Sequence, residues 1–116
     1  MGYYTRYTLN VVIPKGFLLY GQEPTQHQII SELIHDEQYE AKWALESDGS
    51  TRDNTKWYDH DDDMLSFSKR YPEFVFVLTG EGEEPGDLWM AYYKDGKKQT
   101  AKARIVYEPF DPTQLK

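Results

Sequence analysis

Residues 88–107 read Leu88-Trp89-Met90-Ala91-Tyr92-Tyr93-Lys94-Asp95-Gly96-Lys97-Lys98-Gln99-Thr100-Ala101-Lys102-Ala103-Arg104-Ile105-Val106-Tyr107. Asp-Gly between two β-prone runs signals a two-residue hairpin turn, since both central residues need positive φ and these two tolerate it. Strands are therefore expected over 88–93 and 98–107. On the second, Gln99, Ala101, Ala103, Ile105 and Tyr107 are expected to face one way, and Lys98, Thr100, Lys102 and Arg104 the other. The small Ala101 and Ala103 suit a face on which a helix lies close.

Upstream, Phe74 to Thr79 is a further β-prone run. It leads into Gly80-Glu81-Gly82-Glu83-Glu84-Pro85-Gly86-Asp87, an acidic turn rich in glycine. The last three strands should form a meander. At the other end of the chain, residues 4–12 alternate, with Tyr7, Leu9 and Val11 on one face and Arg6, Thr8 and Asn10 on the other. Pro14-Lys15-Gly16 closes that strand. Phe17-Leu18-Leu19-Tyr20 is a short apolar stretch before a turn at Gly21.

Between the first strand and the meander the period changes. Thr25-Gln26-His27-Gln28 is a capping box, and Ile29, Ile30, Leu33 and Ile34 recur at helical spacing, predicting a helix over 26–35. A second helical stretch is expected to turn Tyr39, Trp43 and Ala44 inward. Lys56-Trp57-Tyr58 reads as extended. Asp59 is an N-cap candidate for a helix over 60–70, with Asp61, Asp62 and Asp63 in its first turn and Lys69-Arg70 in its last, as the helix dipole favours. The chain thus reads as one α+β domain over 1–116, irregular from about residue 109. The expected fold is a ferredoxin-like two-layer sandwich, an antiparallel sheet of about four strands with two or three helices on one face.

Composition narrows the function. Twenty acidic residues against 13 basic ones give a formal charge of -7, which disfavours nucleic-acid and anionic-membrane partners. Having no cysteine removes thiolate chemistry, disulfides and Cys-ligated zinc. No apolar run approaches a membrane span. Met1 to Arg6 lacks a signal-peptide layout, and Arg6 stands where a myristoylation motif wants Ser or Thr, so a cytoplasmic location is expected.

Candidate chemistry is sparse. Asp59-His60-Asp61-Asp62-Asp63 has the ligands of a hard divalent metal, a third reading being a metal-dependent hydrolase. An EF-hand fails there, because its sixth position is Met64 and its twelfth Arg70. Capping and dipole explain the same residues, so no metal or other cofactor is expected. The turn after Gly80 has Pro85 where a dinucleotide fingerprint needs glycine. His27, His35 and His60 read as surface residues, and no serine has the setting of a nucleophile.

Binding remains. Glu81, Glu83, Glu84 and Asp87 form an acidic contact surface for a basic partner. Trp89 and Tyr4 are aromatic candidates, since an open sheet face would leave some rings exposed or buried in a homodimer. The alternative is an RNA- or single-strand-binding site on the basic hairpin, using Lys97, Lys98, Lys102 and Arg104 with Tyr93 beneath a base.

One resemblance adds to this reading. Lys56-Trp57-Tyr58-Asp59-His60, Phe67-Ser68-Lys69-Arg70-Tyr71-Pro72, Gly80-Glu81-Gly82-Glu83, Gly86-Asp87-Leu88-Trp89 and Tyr93-Lys94-Asp95-Gly96-Lys97 resemble segments of short bacteriophage and bacterial proteins. The layout of helix, Tyr-Pro, strand, acidic turn and strand is distantly similar to the ferredoxin-like domain of the Api92/YubB group of phage and plasmid proteins. The resemblance spans roughly residues 55–110 and implies a mobile-element origin. By analogy, it implies a non-enzymatic protein that binds a host protein, as anti-CRISPR inhibitors of host defence do.

Overall fold

The computed structural model describes residues 5–52, 57–82, 88–103 and 106–116. Strand β1 (Thr5–Val12) is followed by helix α1 (Gln26–Ile34), a short 3-10 turn (Glu40–Trp43) and helix α2 (His60–Ser68). Strands β2 (Val75–Gly82), β3 (Leu88–Lys94) and β4 (Lys97–Lys102) complete the sheet. All neighbours are antiparallel and the spatial order is β1-β2-β3-β4. The helical segment is therefore one long connection between adjacent strands. Among the described residues no helix is long and apolar enough to cross a membrane.

Pleat parity sorts the sheet into two faces, because residues opposite one another across a ladder point the same way. Tyr7, Leu9 and Val11 lie opposite Gly80, Leu78 and Phe76, which in turn lie opposite Trp89, Ala91 and Tyr93. This face carries the helices: α1 packs over β1, and α2 over β2 and β3. Ile29, Ile30 and Leu33 of α1 and Met64 and Phe67 of α2 are buried against it. The expected capping box holds α1, with Thr25 accepting from the Gln28 N–H and Gln28 Oε1 accepting from the Thr25 N–H.

The two sheet edges differ. Along β1 the outward N–H groups of Tyr7, Leu9 and Val11 find partners. Tyr7 donates to Thr51 Oγ1, Leu9 to the Gly49 carbonyl at 2.8 Å, and Val11 to Gln26 Oε1 at 2.7 Å. Gly49 sits at φ +90, and a Cβ there would lie 2.1 Å from the Leu9 carbonyl oxygen, so this edge cover requires glycine. Along β4 the lysines protect the opposite edge from further pairing.

Several expectations need correction. Strand β4 ends at Lys102, and Val106 and Tyr107 lie beyond it, 84% and 86% exposed. Its faces are also reversed. The Asp95-Gly96 turn sets Tyr93 opposite Lys98, so Lys98, Thr100 and Lys102 share the helix-covered side while Gln99 and Ala101 lie on the other. Gly80 is not turn but strand, and β2 runs on to Gly82. The ring of Trp89 lies where a Gly80 Cβ would be, at 2.1 Å, so the glycine makes room for the indole. Helix α2 stops at Ser68, leaving Lys69 and Arg70 outside it, and Asp59 makes no side-chain cap. Trp43 is 66% exposed, although Tyr39 and Ala44 beside it are buried.

Candidate functional site

The acidic cluster at the start of α2 is occupied by architecture. Asp63 is buried, and its Oδ2 accepts from Trp57 Nε1 and from the Glu40 N–H, each at 2.8 Å. Burial pushes this carboxyl above its ordinary value, against the pull of those two donors. Asp61 accepts from the Tyr93 hydroxyl and, at 2.7 Å, from Lys98 Nζ. Burial works to raise Asp61, but the Lys98 and Tyr93 hydrogen bonds prevail and hold it below the usual carboxylate range. Tyr93 is pushed up by burial and by its bond to Asp61. Among the described residues no three His or carboxylate side chains converge as metal ligands do.

His60, expected on the surface, is half-buried. Its ring stacks on Trp89, with centroids 5.1 Å apart and planes 23° apart, and lies within 6.1 Å of Trp57 and 5.9 Å of Tyr7. Nδ1 is 2.9 Å from the Trp57 carbonyl, which places the proton on that nitrogen and turns Nε2 toward Asp61, 3.6 Å away.

These contacts redistribute the sequence candidates. Trp89 is half-buried on the helix-covered side, against His60 and Gly80, and not on the open face. Tyr93 is fully buried and has no surface on which a base could stack. Lys98 is held by Asp61, whereas Lys97 and Lys102 are exposed. Glu81 is exposed and lies opposite Arg6 on the uncovered face. Tyr4, Glu83, Glu84, Asp87 and Arg104 lie outside the described residues. Because β2 reaches Gly82 and β3 begins at Leu88, the acidic connection is residues 83–87, an ordinary hairpin length. Its length therefore gives no ground for assigning binding to it.

The face opposite the helices, uncovered among the described residues, carries apolar side chains that the sequence analysis does not single out. Val75, Val77 and Thr79 of β2 lie beside Met90 and Tyr92 of β3, with Ala101 of β4 next to Met90. All six are half-buried, and the flanking Val12 and Leu88 are 55% and 45% exposed. At the hairpin end a cleft of about 640 Å³ opens, lined by Pro72, Val75, Tyr92 and Gln99 with Lys94, Asp95, Lys97 and Lys98. The signal was legible in principle. Val75, Val77, Met90 and Tyr92 alternate with the core residues Phe76, Leu78, Ala91 and Tyr93, so a two-sided apolar pattern ran through both strands. No family model, curated protein or solved structure matches the chain.

Proposed function

We propose that this chain is a non-enzymatic binding protein of mobile-element type that captures a host protein on the uncovered face of its sheet, as small inhibitors of host defence do. The observation that carries the reading is the uncovered row Val75, Val77, Met90 and Tyr92, apolar side chains on the sheet face opposite the helices. Apolar surface of this kind, rimmed by charge, is typical of protein interfaces. The absence of catalysis in this reading is supported by what the reactive groups do: Asp61 bonds Tyr93 and Lys98 of the sheet, His60 stacks on Trp89, and Asp63 ties Trp57 and the Glu40 turn to α2. Kinship with ferredoxin-like sandwiches is proposed in the broad sense of helices layered on one face of an open antiparallel sheet. The strands here follow in sequence order, which distinguishes it from a split β-α-β arrangement.

The test uses extract of the native host with two baits. The wild-type chain is expected to retain one host protein in stoichiometric amount, and Val77→Lys is expected to lose it. Equal recovery by both baits contradicts the reading. A second reading draws on Tyr92, which stands on the open face between β2 and β4 with Lys94 and Lys97 nearby, an arrangement suited to stacking a base between cations. RNase-sensitive recovery would favour it.

A further inference from the structure

Beyond β4, residues 106–116 form an exposed arm, which is not irregular throughout: Pro112–Gln114 is a 3-10 turn whose N-cap, Asp111, accepts from the Thr113 N–H. Val106, Tyr107, Phe110 and Leu115 are 84%, 86%, 77% and 70% exposed, the densest run of exposed large apolar side chains among the described residues. The radius of gyration is 17.0 Å, against about 13 Å for a compact domain of roughly this length, so part of the chain stands away from the body. Leaving two aromatic rings in water is costly, because each buries about 150–250 Å² when covered. Glu108 and Asp111 alternate with these rings.

The cleft on the uncovered face has the matching chemistry. Pro72, Val75, Tyr92 and Gln99 line it beside Lys94, Lys97, Lys98 and Asp95, three cations against one acid. An arm segment that places Tyr107 or Phe110 on that lining brings Glu108 and Asp111 toward the lysines. The cleft lies at the Lys97 end of β4, whereas the arm leaves past the Lys102 end. The arm of the same chain must reverse its direction to reach the cleft, and the arm of a neighbour need not.

Area favours the same answer. Two rings per arm bury about 400 Å², and with the matching surface of the cleft, two reciprocal arms approach the ~1,600 Å² of a standard interface. Resting on the reading of this face as a protein-docking surface, we infer that a second copy of the chain occupies it. The two copies exchange arms about a two-fold axis, with Tyr107 and Phe110 of each seated in the Lys94–Lys97 cleft of the other. A host protein then competes with the arm for one site.

Sedimentation equilibrium on the full chain tests this. Wild type is expected at twice its 13.7 kDa chain mass, and Phe110→Ser at the monomer mass with unchanged circular dichroism. Lys94→Glu with Lys97→Glu is expected to dissociate the dimer, and adding Glu108→Lys with Asp111→Lys to the same chain to restore it. A wild-type chain that stays monomeric at every concentration overturns the inference, as does a dimer indifferent to Phe110→Ser or to the charge reversals. The host-extract experiment separates the two claims. A monomer that still captures a host protein through Val77 sinks arm exchange alone, and an arm-dependent dimer that captures nothing sinks the host-binding reading alone.

Discussion

The indole N–H of Trp57 donates to Oδ2 of Asp63 at 2.8 Å, in a setting where Trp57 is 2% exposed and Asp63 6%. The same oxygen accepts the backbone N–H of Glu40 at 2.8 Å. A single carboxylate oxygen therefore ties the segment before α2 and the 3-10 turn to the first turn of α2. What reads in the sequence as an acidic first turn suited to capping and the helix dipole contains an internal fastener.

The pair predicts an asymmetry between two substitutions. Asp63→Asn keeps a carbonyl oxygen for both donors and removes a charge whose burial is unfavourable, so it should match or exceed wild-type stability at pH 7. Asp63→Ala leaves two buried donors unpaired and should lose about 2–4 kcal/mol. The sign of the pH effect follows from the raised carboxyl. Its contribution is most favourable below the ordinary value of 3.8 and declines as pH rises from there through the raised folded-state value. Urea titrations between pH 4 and 7 should show Asp63→Asn gaining on wild type as pH rises; a gap that narrows would contradict this.

Asp36 should act in the opposite sense. Its hydrogen bonds from Arg70 and Gln38 bring it from 3.8 down to about 2. The stabilisation is complete above 3.8 and is lost as pH falls from there toward 2. Arg70 also lies over the Tyr39 and Phe67 rings, at 5.5 and 5.2 Å, so one guanidinium joins the end of α1 to α2. Arg70→Lys loses the planar contact with both carboxylate and rings, and should cost about 1 kcal/mol at pH 7. In Arg70→Lys the acid-side loss attributable to Asp36 should shrink; an unchanged acid limb would place it elsewhere.

At Gly80 the expected effect is steric. A Cβ would lie 2.1–2.5 Å from Trp89 ring atoms, so Gly80→Ala must push the indole off its stack on His60. A loss of about 1–3 kcal/mol is expected. Trp89→Leu added to Gly80→Ala should cost less than the sum of the two single changes. Strict additivity in thermal unfolding would show that the ring and the glycine are not coupled.

Legibility followed the range of the interactions. The capping box at Thr25, the alternation of β1 and the Asp95-Gly96 turn are local, and each sits where its residues place it. The face assignment of β4 was also decided locally, by the two-residue turn, but the alanines drew the reading to the wrong side. Lys98 faces the helices because its long stem carries the ammonium out to Asp61, which composition does not reveal. Gly80 looked like a turn because its partner, the Trp89 ring, comes from another strand. For the same reason Asp63 reads only as a first-turn charge suited to the helix dipole, because Trp57 and Glu40 reach it from outside α2.

Site-specific photo-crosslinking tests the central claim, capture of a host protein on the uncovered face, most directly. A photoreactive side chain is placed at Thr79, half-buried on that face, or at Glu37, exposed beyond the end of α1. Irradiation in extract of the native host should give one discrete covalent product from position 79 and none from position 37. The same product from both positions, or a product from position 37 alone, would contradict the account.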